Sequence, residues 1–416
     1  MVHSLKQVYL RVSSFDLSMS DDHQPAIQLT LGNDYPEIRT EVGKLCARFP
    51  GEYWRALEDQ PPEASYPTQF IEALTAGGYL AALIPEEYGG AGLSIRGGAV
   101  ILETINHMGC SAAAGHAQMY TMGTLLRHGS TQQKQRYLPK IANGDLRLQA
   151  FGVTEPSTGS DTTQIKTLAV KTDDGYVING QKVWTSRALH SDLMLLLART
   201  TPAEQVQKKT HGISTFLIDL NNAKQNGCSI RPIDAMINHN TTEVFFDDVL
   251  VPHDTLVGEE GHGFRYILDG MNAERCLTAA EAVGNGRYFT DKSVKYANER
   301  IVFGRPIGQN QAVQFPVAES YAQLEAADLM TRQASALFEA GRPCGAEANM
   351  ARLLAAEASW AAAEACFSLH GGFAFAREYD IERKWRETRL SRTAPISTNL
   401  ILSFLGQHVL GMPRSY

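Results

Sequence analysis

Three textures succeed one another along the chain. From about residue 34 to 148, apolar residues recur at three- and four-residue spacing, as in FIEALTAGGYLAALI (70–84) and GAVILETINHMG (98–109). That period predicts helices with one buried face. Between the two runs, PEEYGGAGLS reads as a Gly-rich connection. Its glycines do not follow a strand in the G-x-G-x-x-G arrangement, which argues against a dinucleotide-binding turn. From about 150 to 250 the pattern alternates and turns β-branched. IKTLAVKTDDGYVINGQKVWTS predicts strands around the turn signals DDG and NG, and SDLMLLLART and GISTFLIDL predict further strands. TTEVFFDDVLVP closes the region as another strand pair. Short strands at this turn density suggest a small antiparallel barrel or sandwich. After about 262 the chain is helical and Ala-rich, and four long helices with small residues at their contacts would pack as a bundle.

The order helices, strands, helices, without βαβ alternation, makes a doubly wound parallel sheet improbable. The expected fold class is α+β and multidomain. It comprises an N-terminal extension (1–30), a helical N-terminal domain (31–149), a middle antiparallel β-barrel or sandwich (150–258) and a C-terminal four-helix bundle (259–416).

Composition narrows the function classes. With 416 residues the chain can bury a large core; 44% of them are hydrophobic and 20% charged, as in ordinary globular proteins. The net charge is −7 and no long basic run occurs, so neither nucleic acid nor an anionic membrane is an expected partner. Six cysteines are scattered without C-x-x-C spacing, which argues against a metal site and fits a reducing compartment. The apolar run LMLLLA (193–198) is far too short to cross a bilayer. The opening MVHSLKQVYLRVSS carries Lys6 and Arg11 with no acid before Asp16, a weak transit-peptide pattern; an upstream extension with Met19 as the start is an equal reading. A bacterial cytoplasmic setting is the expectation, or the mitochondrial matrix if that stretch is a transit peptide.

One stretch combines burial with charge. NAERCLTAAEAVG (272–284) is small or apolar except for Glu274–Arg275 near its start and Glu281 further on. Asn272 can cap a helix beginning there, and an acid in a first turn complements the helix dipole. A catalytic carboxylate is the competing reading.

FGVTEPSTGSDTTQIKTLAVKTDDGYVINGQKVWTSRA (151–188) resembles the central signature of the acyl-CoA dehydrogenase family. The resemblance continues through ERIVFGRPIGQNQAVQFPVAE (299–319) and LHGGFAFAREYDIERKWRETR (369–389), and covers the chain from about residue 34 to the end. It implies a homotetrameric flavoprotein with FAD between the β-domain and the bundle. Such enzymes remove a proton from Cα and a hydride from Cβ of an acyl-CoA and pass the electrons to an electron-transfer flavoprotein. By this resemblance Phe151, Val153 and Thr154 contact the isoalloxazine, Trp184 shields one edge and Ser186 lies at N5. Ser160 touches the CoA moiety. Arg300 and Phe303 reach the FAD pyrophosphate of a neighbouring subunit, where a guanidinium suits a diphosphate. Gln311, Gly371 and Gly372 match the adenine side of that site.

Many family members carry the catalytic base in a Y-E-G-T segment. Here the matching segment is APIST, and Pro395 takes the place of the glutamate, with neither a carboxylate nor a backbone N–H. Ser397 stands where the motif has threonine and would keep its flavin contact. A subset of the family, including isovaleryl-CoA and long-chain acyl-CoA dehydrogenases, places the base on a helix just before a conserved arginine, and Glu274–Arg275 fits that position. Glu274 is therefore the expected Cα base and Arg275 a substrate-side residue that points away from it; Glu281 is expected to be structural. Flavin oxidases or monooxygenases on the same fold, and a non-catalytic assembly homologue, are the alternatives.

Overall fold

The computed structural model describes residues 33–414. The expectations for the N-terminal extension lie outside the described residues.

The helical region comprises α1 (Pro36–Cys46), α2 (Gly51–Glu58), α3 (Thr68–Ala76), α4 (Ile95–His107), α5 (Ala113–His128) and α6 (Thr131–Ala142). The run 70–84 is not one helix, because α3 stops at the Gly77–Gly78 pair and Gly78 sits at φ 75. That left-handed conformation costs a glycine nothing. Helix α4 is buried along nearly its whole length and crosses α8 (Gly263–Glu299) closely. At the crossing Gly284 has no room for a side chain, since a Cβ there would collide with the Glu103 carbonyl. The Glu103 carboxylate, 1% exposed, is held by Arg39 at 3.0 Å through each oxygen and also by Arg287. These ties lock α1 and α4 onto α8, whose inner face builds the site described below.

The middle region is a single eight-stranded sheet. It contains β1 (Leu148–Gly152), β2 (Leu168–Lys171), β3 (Tyr176–Ser186), β4 (Leu193–Arg199), β5 (Ile213–Asp219), β6 (Cys228–Pro232), β7 (Thr241–Val251) and β8 (Leu256–Val257), with the short helix α7 (Leu220–Gln225) after β5. The order is β6-β7-β3-β2-β4-β5-β8, with β1 beside β4. This corrects the barrel expectation: β6 and β8 end the path and the sheet does not close. Nor is it wholly antiparallel, because β1 runs parallel to β4 (Phe151 opposite Leu195) and β2 meets β4 in parallel at Leu168 and Arg199. The buried run 193–199 fits a central strand covered on both faces.

Two turn expectations also fall. Asn179–Gly180 lies inside β3, where the register with β7 shifts, and Asn179 exchanges two 2.9 Å hydrogen bonds with Asp248. It is a bulge rather than a hairpin turn. TTEVFFDDVLV is one long strand, β7, shared between β3 and β6. The DDG turn does join β2 to β3, with Val170 opposite Val177.

After α8 come a small hairpin, β9 (Ile301–Val302) with β10 (Arg305–Pro306), then α9 (Gln311–Glu339), α10 (Gly345–His370), α11 (Ile381–Leu390) and α12 (Thr398–Phe404). Buried alanines such as Ala279, Ala282, Ala327, Ala351 and Ala355 let α8, α9 and α10 pack closely. The fourth long helix expected over 396–411 is shorter: α12 passes into a π-type turn after Phe404. Helix α8 begins at Gly263, not at Asn272. Glu274 therefore sits three turns inside a helix, and its carboxylate has no dipole or capping role.

Candidate active site

A cavity of about 510 Å³ lies between the sheet, α5, α8 and the segment after α11. Its sheet-side wall is built by the ends of β1 and β3. Beyond β1, Val153 and Thr154 are fixed from behind: Lys182, wholly buried, donates to Val153 O at 3.1 Å and to Glu155 Oε1 at 2.8 Å. Glu155 also accepts from Lys166 N, Thr167 N and Thr167 Oγ1 at 2.7–2.9 Å. Burial raises the Glu155 carboxyl, but Lys182 and these donors outweigh it and hold it below its ordinary value. Burial lowers the Lys182 ammonium to about 8.

Along β3 the register with β7 slips between Lys182 and Thr185, and Trp184 adopts φ 60. This left-handed position is uncommon for an aromatic residue. It leaves the indole 59% exposed at the cavity, with Ser186 beside it. Phe151, Val153, Thr154, Ser160, Trp184 and Ser186 all line this one space.

The opposite wall is α8. Phe264, Ile267 and Met271 give it an apolar part, followed by Glu274. Burial pushes the Glu274 carboxyl up to about 7, with Arg275 and Arg352 pulling the other way. Arg275 turns aside: its Nη1 donates to Asn272 Oδ1 at 3.0 Å and it does not line the cavity. Tyr120 lies against Phe151, ring centroids 5.5 Å apart, and its hydroxyl is pushed up by burial and by Glu274. One turn back on α5, His116 packs on Tyr120 and faces Glu281, Nδ1 to Oε1 3.2 Å.

Pro395 lines the same cavity, so the APIST segment does face Glu274 across it. Arg352 Nη2 holds that segment, donating to Ala394 O at 2.8 Å and to Ser391 O. Ser397 does not line the cavity; its hydroxyl caps α12 by accepting from Leu400 N. Arg300, Phe303, Gln311, Gly371 and Gly372 lie outside this cavity and are exposed. Arg300 rests 5.7 Å over the Phe373 ring, and Phe303 is completely exposed at the β9–β10 turn. Tyr120, His116, Arg352 and the Glu155–Lys182 pair were not foreseen from the sequence. The signal for the first two was present: a histidine and a tyrosine four apart in the small-residue run SAAAGHAQMY.

Profiles described as the N-terminal, middle and C-terminal domains of acyl-CoA dehydrogenase match residues 33–145, 150–249 and 261–407. The chain belongs to the acyl-CoA dehydrogenase family. It is 33% identical over 390 residues to the acyl-CoA dehydrogenase fadE12 of Mycobacterium bovis, covering 91% of this chain and 96% of that one. Among solved structures it is similar to a glutaryl-coenzyme A dehydrogenase in complex with glutaryl-CoA (TM-score 0.83, 27% identity, 94% of this chain and 98% of that one). It is similar also to the prolyl acyl carrier protein oxidase AnaB (TM-score 0.80, 26% identity, 89% and 98%). As a member of this family the chain is an FAD-binding oxidoreductase. Among the described residues no helix is long and apolar enough to cross a membrane, and no cluster of metal-ligating side chains occurs.

Proposed function

We propose that this acyl-CoA dehydrogenase introduces a Cα=Cβ double bond into an acyl-CoA thioester, with Glu274 as the base that takes the Cα proton. The observation that carries the reading is the placement of Glu274: a carboxyl near neutrality, facing the Trp184–Ser186 wall across a single cavity. A general base is most effective when its pKa lies near the working pH.

The sheet-side wall fits the flavin ring. A largely exposed indole held at a strained φ is costly without a partner face, and a planar ring laid along Trp184 would cover it. Thr154 and Ser186 would offer hydroxyls to the ring's polar edge, and the Glu155–Lys182 pair fixes the backbone they sit on. When bound, FAD supplies the acceptor for the hydride that leaves Cβ. The chain's own residues do the rest. Phe151, Tyr120, Ile267 and Met271 keep water from the reacting carbons. Glu274 is held between this apolar wall and the substrate, and closing an acyl chain over it removes further water and favours the proton-accepting role. Ser160, at the cavity rim, is placed to meet the CoA portion. Pro395 offers no N–H to the thioester carbonyl, and Ile396 carries the next one available.

Arg300, Phe303, Gln311, Gly371 and Gly372 would complete the FAD site of a neighbouring subunit in a homotetramer. Their exposed aromatic surroundings (Phe303, Phe373, Phe375) suit an assembly surface. An electron-transfer flavoprotein is the expected acceptor, in a reducing compartment that leaves the six buried cysteines free. The similarity to AnaB supports a second reading, an oxidase, which rapid reoxidation of the reduced protein by air would favour. The main reading is tested by adding a panel of acyl-CoA thioesters anaerobically to the yellow protein. At least one should bleach the flavin; a panel spanning short, long and branched chains without bleaching would overturn it.

A further inference from the structure

Glu281 lies two turns beyond Glu274 on the same face of α8, roughly 10 Å further along the helix. Between the two acids the wall is apolar. Thr278 turns its hydroxyl back to Glu274 O at 2.9 Å, and Ala117 and Ala282 line the space beside it. At Glu281 the character changes. The cavity there is bounded by Glu281, His116, Asn285, Arg187 and Arg352. Several of their polar atoms are buried with no hydrogen-bond partner: Glu281 Oε1, His116 Nε2, Asn285 Oδ1, Arg187 Nε and Arg352 Nε and Nη1. His116 Nδ1 lies 3.2 Å from Glu281 Oε1, and Oε1 still has no hydrogen-bond partner. Arg187 and Arg352 are only 3% and 1% exposed. Buried polar groups are almost always paired, so a cluster of unpaired ones facing one space points to a ligand that pairs them.

A plain alkyl tail would leave every one of these groups unmet. We propose that the acyl group taken by this enzyme carries a hydroxyl at its end remote from the thioester, received by Glu281 and His116. This rests on the reading of the cavity as an acyl-CoA site. The apolar stretch at Thr278 passes the chain, and the polar end binds its oxygen. A hydroxyl is donor and acceptor at once. It can donate to Glu281 Oε1 and accept from the Arg352 or His116 edge, whichever imidazole nitrogen carries the proton. The charges of Arg187 and Arg352 already face the carboxyls of Glu274 and Glu281. A terminal carboxylate would set a further negative charge beside Glu281, whereas a hydroxyl adds none. Burial keeps His116 neutral, with its pKa down at about 3, so the imidazole is a hydrogen-bonding group rather than an anion receptor.

The test uses the FAD-loaded protein and anaerobic flavin bleaching by three CoA thioesters of one chain length: octanoyl, ω-hydroxyoctanoyl and suberyl. The hydroxylated thioester should reduce the flavin with an efficiency at least about tenfold above octanoyl-CoA, because a site built to bind a hydroxyl rejects the analogue lacking it. Glu281→Leu and His116→Leu should each lower that ratio by about tenfold or more, while Glu281→Gln, which keeps an acceptor, should retain most of it. If Glu281→Leu does not hold FAD, His116→Leu and the wild-type ratio decide. Equal or better reduction by octanoyl-CoA, or a ratio unchanged in the variants, would overturn this inference alone. Preference for suberyl-CoA would overturn the hydroxyl in favour of a carboxylate. Absence of bleaching by any thioester would overturn the acyl-CoA reading and this inference with it.

Discussion

Glu274 and Glu281 share one face of α8 and open on one cavity, yet only Glu281 has an imidazole within reach, His116 Nδ1 at 3.2 Å. The two carboxyls are both pushed up to about 7 by burial, so proton affinity does not separate them. Their surroundings do. Glu274 is the acid next to Tyr120, which packs on Phe151 of the wall proposed to meet the flavin; Glu281 is ringed by Arg187, Arg352 and His116.

The base must be ionised to accept a proton, and its folded pKa lies at about 7. The efficiency of flavin reduction should therefore rise with pH, about tenfold per unit below pH 7, and level off above it. A pH profile of anaerobic bleaching checks this. A rate flat from pH 5 to 8 would remove Glu274 from the role.

The same shift predicts a stability effect. A carboxyl raised from 4.5 to about 7 favours the folded state below pH 4.5 and loses that contribution as pH rises to 7. Glu274→Gln carries no such penalty and should be more stable than wild type at pH 8 by up to roughly 3 kcal/mol, with a correspondingly higher melting temperature. The gap should close towards pH 5. Calorimetry on both FAD-loaded proteins at the two pH values decides it, and a gap independent of pH would argue against a buried, raised carboxyl.

Lys182→Met should cost about 3–5 kcal/mol, because it leaves Glu155 buried without its counter-charge. It should also weaken FAD retention, since Lys182 holds the Val153 carbonyl in the segment proposed to contact the flavin ring. Flavin content after gel filtration, read with the melting temperature, tests both. A destabilised protein that keeps stoichiometric flavin would show that the pair supports the sheet but not the cofactor.

Much of this was legible in the chain. The 3.6-residue and two-residue periods located most of the helices and strands, and the 151–188 motif placed Phe151, Thr154, Trp184 and Ser186 on one wall. Other features depended on pairings that local pattern does not carry. Asn179–Gly180 has ideal hairpin-turn chemistry, but its cross-strand partner Asp248 turns it into a bulge. The sheet stays open because its end strands β6 and β8 do not pair, and both that and the parallel pairing of β4 with β1 and β2 are relations between distant strands that alternation does not carry. Asn272 reads as a cap, but the helix already runs from Gly263, and Asn272 Oδ1 accepts from Arg275 Nη1 rather than from a helix N-terminus. His116 and Arg352 became site residues only when three separate helices met.

Arg300→Ala should weaken FAD retention and tetramer formation together, because one guanidinium would serve the pyrophosphate and the subunit surface around Phe303 and Phe373. Analytical ultracentrifugation with flavin absorbance follows both. A stable tetramer that keeps its full flavin would contradict the assignment.

The central claim is that Glu274 takes the Cα proton. Stopped-flow reduction of the Glu274→Gln protein, anaerobic and with the best thioester, tests it most directly. Gln keeps the shape and cannot take up a proton. The account predicts unchanged FAD content and thioester binding, with flavin reduction slowed by at least roughly 10²–10⁴-fold. Reduction at nearly the wild-type rate, with Glu281→Gln inert instead, would contradict the account and move the base two turns along α8.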